Sequence, residues 1–440
     1  MRSKALKVAE IRVANAECAV RFQEEGFTAK VHGESAAIDR LQAGEVEVEL
    51  TQKGNALVGA LKLASIQCDE VTAEAISGTL ERKKTEDGEV FHFAGTSGAW
   101  ALTAPETTGS EATLKGAFAA DGWALDAGFD HAVFMAEGKM QGAVVRLDQR
   151  GKQPLALALT SDAFTWGDWT LTGTTAQGTV SRDATRLHVT AESVAKGATT
   201  ATGFSGVGAW SDGDLSLVNA TAGFYGGELR GDFFMNVPAE RGTTFWVMRD
   251  VDVNQLNKAL KPDKATKVKE GEKTPTLTAR ANVSMNGWGE TLTLSGSGQL
   301  NVVDGNFVRY RIPILSDFLV AVSKARILGL ITTPISHMTR ISTLSTDVEF
   351  AGTKMKFQSL RTNGEVIAVA GRGYYDWKEP WLDVRLHAES LPGLWKRLPL
   401  VDDPFKIVLA RRATGTFSDP KWEEISGLRD FFRDTEKDMN

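Results

Sequence analysis

The side chains able to do chemistry are scattered along this chain of 440 residues. Its histidines, His32, His92, His131, His188, His337 and His387, stand singly, whereas a metal site needs several ligands brought together at set spacings. Asp402-Asp403 and Glu423-Glu424 are adjacent carboxylates, and neighbours on an extended chain point to opposite faces, so neither pair can hold two acids over one bond. No G-x-S-x-G elbow, H-E-x-x-H helix, Walker loop or C-x-x-C pair occurs. The expectation is a protein that is not an enzyme and carries no cofactor or metal. Cys18 and Cys68 leave two readings open, separate core thiols or one disulfide.

The elements that would position such groups follow from composition and pattern. Apolar residues make up 42% and charged residues 24%, enough for a folded core. A net charge of -6 supplies no basic field for a polyanion, which argues against nucleic acid as a partner. The first residues, MRSKALKVAEIRV, lack the apolar stretch of a signal peptide, and no run is apolar enough for a membrane helix. The greasiest stretch, Ile312 to Ile335, is broken by Asp317, Lys324 and Arg326 and reads as an amphipathic or partly buried helix.

Period-two alternation dominates, as in VEVELTQ, RLHVTAES, TLTLSGSGQLNV and WLDVRLHAE, and places every second side chain on one face of a sheet. Asp87-Gly88, Asp121-Gly122, Asp212-Gly213, Asn286-Gly287, Asp304-Gly305 and Asn363-Gly364 fall between such runs, where tight hairpins accept them. Short helices are expected over 252–260, 313–330, 391–398 and 422–437, and a charged linker over 258–275. The fold expected is all-β: a long twisted, mostly antiparallel sheet folded into an open groove, with a few short helices. It divides into a repetitive β-rich segment, 1–214, strands and a helix, 215–257, the linker, and a C-terminal β region, 276–440.

From about Leu215 the order of motifs resembles the C-terminal region of the AsmA family, with its TamB-like and YhdP-like relatives. The resemblance is carried by Phe224-Tyr225-Gly226-Gly227-Glu228-Leu229-Arg230-Gly231, the step Val251-Asp252-Val253-Asn254, and Leu294-Ser295-Gly296-Ser297-Gly298-Gln299-Leu300 running to Asp304-Gly305. Ile312-Pro313-Ile314-Leu315, Gly371-Arg372-Gly373, the Leu382 to Leu386 strand and Thr414-Gly415-Thr416-Phe417-Ser418-Asp419-Pro420-Lys421 complete it. It implies a trough in the periplasm of a diderm envelope, inner-membrane associated in a full-length protein, linked to phospholipid traffic and outer-membrane biogenesis. The family's N-terminal membrane helix is missing here, so either Met1 is not the native start or another polypeptide supplies the anchor.

On this reading Leu294, Val348, Phe350, Met355, Phe357, Val369 and Val384 line a lipid groove, since each belongs to an alternating run; a sealed sandwich core gives the same periodicity. Arg309, Arg311, Phe318, Lys324 and Arg326 would face a membrane surface. The partners expected are phospholipid or another acyl-chain lipid, a membrane surface and other envelope proteins. The alternative function is an assembly factor that binds such proteins through its edge strands.

Overall fold

The computed structural model of the protein describes residues 2–8, 11–38, 41–54, 56–68, 71–85, 88–103, 106–119, 121–134, 137–151, 153–181, 184–260, 273–304, 318, 341–364, 367–390, 410–416 and 420–425. The chain forms two units, one of Met1–Gly197 with Gly203–Asp212, the other of Ala198–Thr202 with Gly213–Asn440. Both are built of antiparallel strands, as the alternation implies. Hairpins close where expected at Thr85↔Gly88 and Ala119↔Gly122. At Tyr225-Gly226 both central residues have positive φ, 45° and 81°, the geometry of a tight two-residue hairpin turn.

In the first unit the register keeps apolar residues in line from strand to strand. Val48 pairs with Leu61, which pairs with Gly78; the row continues through Gly95, Leu114, Ala127, Val145, Leu159 and Ala176 to Val189. The adjacent row starts with Glu49, Ala60 and Thr79 and includes Lys115, Asp126, Arg146, Gln177 and His188. A one-residue slip would exchange the two faces, so the alternation itself fixes the pairing.

This alternation breaks at one place in nearly every strand. Val13 and Ala16 are both buried, as are Thr107 and Ala112, and Gly138 and Ala143, pairs an odd number of residues apart that a plain strand would put on opposite faces. Between the buried positions two consecutive residues are exposed: Ala64-Ser65, Glu74-Ala75, Ser110-Glu111 and Asp130-His131. One residue of the break has left-handed φ in several strands, 50° at Ala75 and 55° at Glu111, Gly142 and Gly173. The registers align these breaks into a seam: flanking pairs put Glu111 opposite Asp130, and Gly173 opposite Glu192. A left-handed residue kinks a strand, and kinks in line fold the sheet along a crease. The ring of Trp100, on one flank, accordingly lies 5.0 Å from that of Phe129, on the other. The second unit has the same signature at Asn219 (φ 54°) and Asp250 (φ 55°).

In the second unit one row alternates large and small residues: Gly231, Trp246, Ala281, Gly298, Val348, Phe357, Gly373, Val384, Ala413 and Trp422. The glycines are steric necessities, since a Cβ on Gly231 would lie 2.3 Å from Trp246 Cε3 and one on Gly373 2.6 Å from Val384 Cα. Trp422 belongs to the strand Pro420–Glu424, where a helix was expected to start, because Ala413 pairs with it. The rest of that expected helix, those over 313–330 (Phe318 aside) and 391–398, and linker residues 261–272 lie outside the described residues. The helix over 252–260 is present as Val253–Leu260.

Candidate functional site: the inward apolar face

The two units bury different kinds of side chain. In the first, the residues buried along the crease are mostly small, Ala16, Ala112, Ala143, Ala176 and Ala191, with Val13 and Ile76 the larger exceptions. The larger Leu57, Leu61, Leu63, Leu80, Leu157 and Leu159 on the same face are only half-buried. A sealed core does the reverse, because complete burial of a leucine is worth about 1.5–3 kcal/mol and close packing claims the large side chains first. Small residues at the crease let the flanks approach, and the flanks leave their aliphatic rows part-exposed.

The opposite face of this unit is wet. Lys30 Nζ lies 3.0 Å from Glu49 Oε1, Lys62 Nζ 3.9 Å from Glu47 Oε2, and Arg146 Nε 3.8 Å from Asp126 Oδ1. All these side chains are largely exposed, so the pairs add little stability; they keep that face hydrated. His32 lies beside Glu47, with Nδ1 3.9 Å from Oε1. Among the described residues no group of three His, Cys, Asp or Glu is placed to hold a metal ion, and no helix is long and apolar enough to cross a membrane.

In the second unit large side chains are sealed together with the small Ala388 and Ala413. Val251, Val253, Leu277, Val302, Phe318, Leu344, Val369, Leu382, Val384 and Leu386 belong to one cluster, with Leu256, Phe357 and Trp422 against it. All seven residues expected to line a groove do share one face, as the registers Leu294↔Gly352, Phe350↔Met355, Phe357↔Gly373, Gly373↔Val384 and Val369↔Ala388 require. Their surroundings differ. Val369 (1% exposed) and Val384 (3%) are sealed in the cluster, Val348 is buried and Phe357 packs against it, so these four do not line an open surface. Val253 of the helix Val253–Leu260 and Phe318 belong to the same cluster, with Leu256 against it. Leu294, Phe350 and Met355, toward the other ends of their strands, stay half-exposed.

Phe318 was expected at a membrane surface and is instead 0% exposed, its ring 6.0 Å from that of Trp422. An aromatic ring gains more by full burial in this cluster than at a partly wet surface. Arg309, Arg311, Lys324 and Arg326 lie outside the described residues. Cys18 is in no disulfide and is half-buried on the inward face. Its row runs through Val31 and Val48 to Leu61, and Cys68 lies roughly 23 Å further along that last strand at 3.3 Å per residue. A disulfide needs Cα atoms within about 7 Å, so the two cysteines do not bridge.

Polar side chains pair on the outward face of the second unit. Asp347 accepts hydrogen bonds from Gln299 Nε2 (2.9 Å) and Ser359 Oγ (2.8 Å). The Ser359 bond and then the Gln299 bond hold its carboxyl below the usual carboxylate range. Arg412 donates to Asp383 through Nε (2.9 Å) and through Nη2, a two-pronged pair half sheltered on the same outward face.

The aliphatic rows of the first unit were not singled out by sequence reasoning, although their signal, alternation in register over many strands, was present. No family model matches the chain, and no curated protein matches it.

Proposed function

We propose that the protein is a non-catalytic, lipid-handling component of a diderm cell envelope that shelters phospholipid acyl chains on its inward apolar face between inner and outer membrane. A chain of about sixteen carbons exposed to water costs on the order of 13 kcal/mol, at roughly 0.8 kcal/mol per CH₂. A continuous apolar row removes most of that cost without a selective pocket. The observation that carries the reading is the inverted burial of the first unit, where alanines are sealed and leucines on the same face remain half-exposed. A membrane surface and other envelope proteins are the partners this role calls for.

The test is photo-crosslinking in cells from Leu157 and Phe350, which face inward, against Ala156 and Lys356, their outward neighbours. Phospholipid adducts at the inward pair above the outward pair are expected. Equal yields at all four positions would remove the conduit reading.

A further inference from the structure

The apolar face of the second unit changes along its strands. On Ile341–Gly352, Leu344, Thr346 and Val348 are buried, Phe350 is half-buried and Gly352 is exposed. On Thr293–Val303, Val302 is buried, Leu300 packs against the cluster, Leu294 is half-buried and Gly296 is exposed. Among the described residues one end of the face is buried and the other is part-exposed.

Beside Phe318, the cover includes the chain's own helix. Val253 belongs to the cluster that holds Val251, Leu277, Val302 and Leu344, and Leu256 packs against it. The helix is also fastened in place. Asp252 Oδ1 accepts from the backbone N–H of Asn254 (2.8 Å) and Gln255 (3.0 Å), and its Oδ2 accepts from Thr274 Oγ1 (2.8 Å). The Asp252 N–H donates to Tyr225 O (2.9 Å), and the Val253 N–H to Pro275 O (3.0 Å). Such a cap satisfies helix N–H groups that would otherwise be orphaned, and here it also ties the helix start to the Tyr225-Gly226 hairpin.

We infer that the helix Val253–Leu260 is a fixed stop, whose Val253 and Leu256 side chains occupy one end of the apolar face of the second unit and confine a guest acyl chain to the end marked by Leu294, Phe350 and Met355. This rests on the lipid-sheltering reading above. The chemistry is substitution of like for like: the stop offers branched aliphatic carbon to the same surface that a methylene chain would cover. A guest therefore gains nothing by displacing it, and the capped geometry keeps it from swinging away.

The experiment places a short aliphatic diazirine residue at Leu294, Leu344, Ser345 or Leu157, one at a time, in the full chain and exposes the protein to phosphatidylglycerol vesicles. The unaltered stop should give lipid adduct at Leu294 and none at Leu344 above an outward control at Ser345. The double substitution Val253→Ala, Leu256→Ala should raise adduct at Leu344 to the level at Leu294. If it fails to fold, Asp252→Ala keeps every core side chain, loosens the cap and should give a smaller gain at Leu344. Equal adduct at both positions with the stop intact, or a folded variant without gain at Leu344, would overturn the stop. Adduct at Leu157 with none at Leu294 would also overturn it while leaving lipid sheltering standing, whereas none at either would remove lipid sheltering itself.

Discussion

At Asp347 two donors fix a carboxylate on the wet face. Its folded pKa is lowered, so its contribution to stability is complete above the ordinary aspartate value near 3.9 and is lost as pH falls through the folded value. We expect Asp347→Asn to lower stability at neutral pH, with the difference from the parent vanishing in strong acid. In Ser359→Ala, NMR titration of the Asp347 carboxyl should show its midpoint moving upward; an unchanged midpoint would refute the assignment of cause. A second residue-scale expectation concerns Gly373, where a Cβ would meet Val384 Cα at 2.6 Å. Gly373→Val should cost about 1–3 kcal/mol or more in urea unfolding, the usual range for overpacking. The Gly-Arg-Gly spelling was legible as a motif, but the need for it was not, since that depends on Val384 from the next strand.

The crease is the feature of the elements that matters most. Gly173 has φ 55°, and a Cβ there would lie 2.5 Å from Glu192 Cγ. Gly173→Val should therefore destabilise by about 2 kcal/mol or more, combining left-handed strain with the clash; a melt within error of the parent would count against the crease as a fixed kink. Strands and hairpins were readable because alternation and Asp-Gly turns encode them locally. The crease was not, because Ala75 and Glu111 are residue types with no preference for left-handed φ, and only alignment with neighbouring strands imposes it. The helix Val253–Leu260 was legible as a short helical segment over 252–260, and its cap on Asp252 appears only in the structure. The Trp422 region was misread because Trp422 joins the strand paired with Ala413, and partners distant in sequence leave no local mark.

On the scale of each whole unit, the same alternation has two outcomes. In the second unit a helix and Phe318 come down on the sheet and seal large side chains; in the first, alanines line the crease and the leucines beside them stay part-wet. Periodicity records which residues share a face and nothing about what lies opposite, so four of the seven groove positions read from sequence lie in or against a closed core, while the part-exposed rows lie in the segment where no residue had been named. The one measurement that bears most directly on the inward apolar face is a crosslinking scan of purified protein with phospholipid vesicles, one photoreactive residue at a time from Leu57 to Gln67. Adducts should form at Leu57, Leu61 and Leu63, fail at both Ala64 and Ser65, and resume at Ile66, a period of two that skips one beat at the crease. Adducts spread evenly along the strand, or an unbroken period of two, would contradict it.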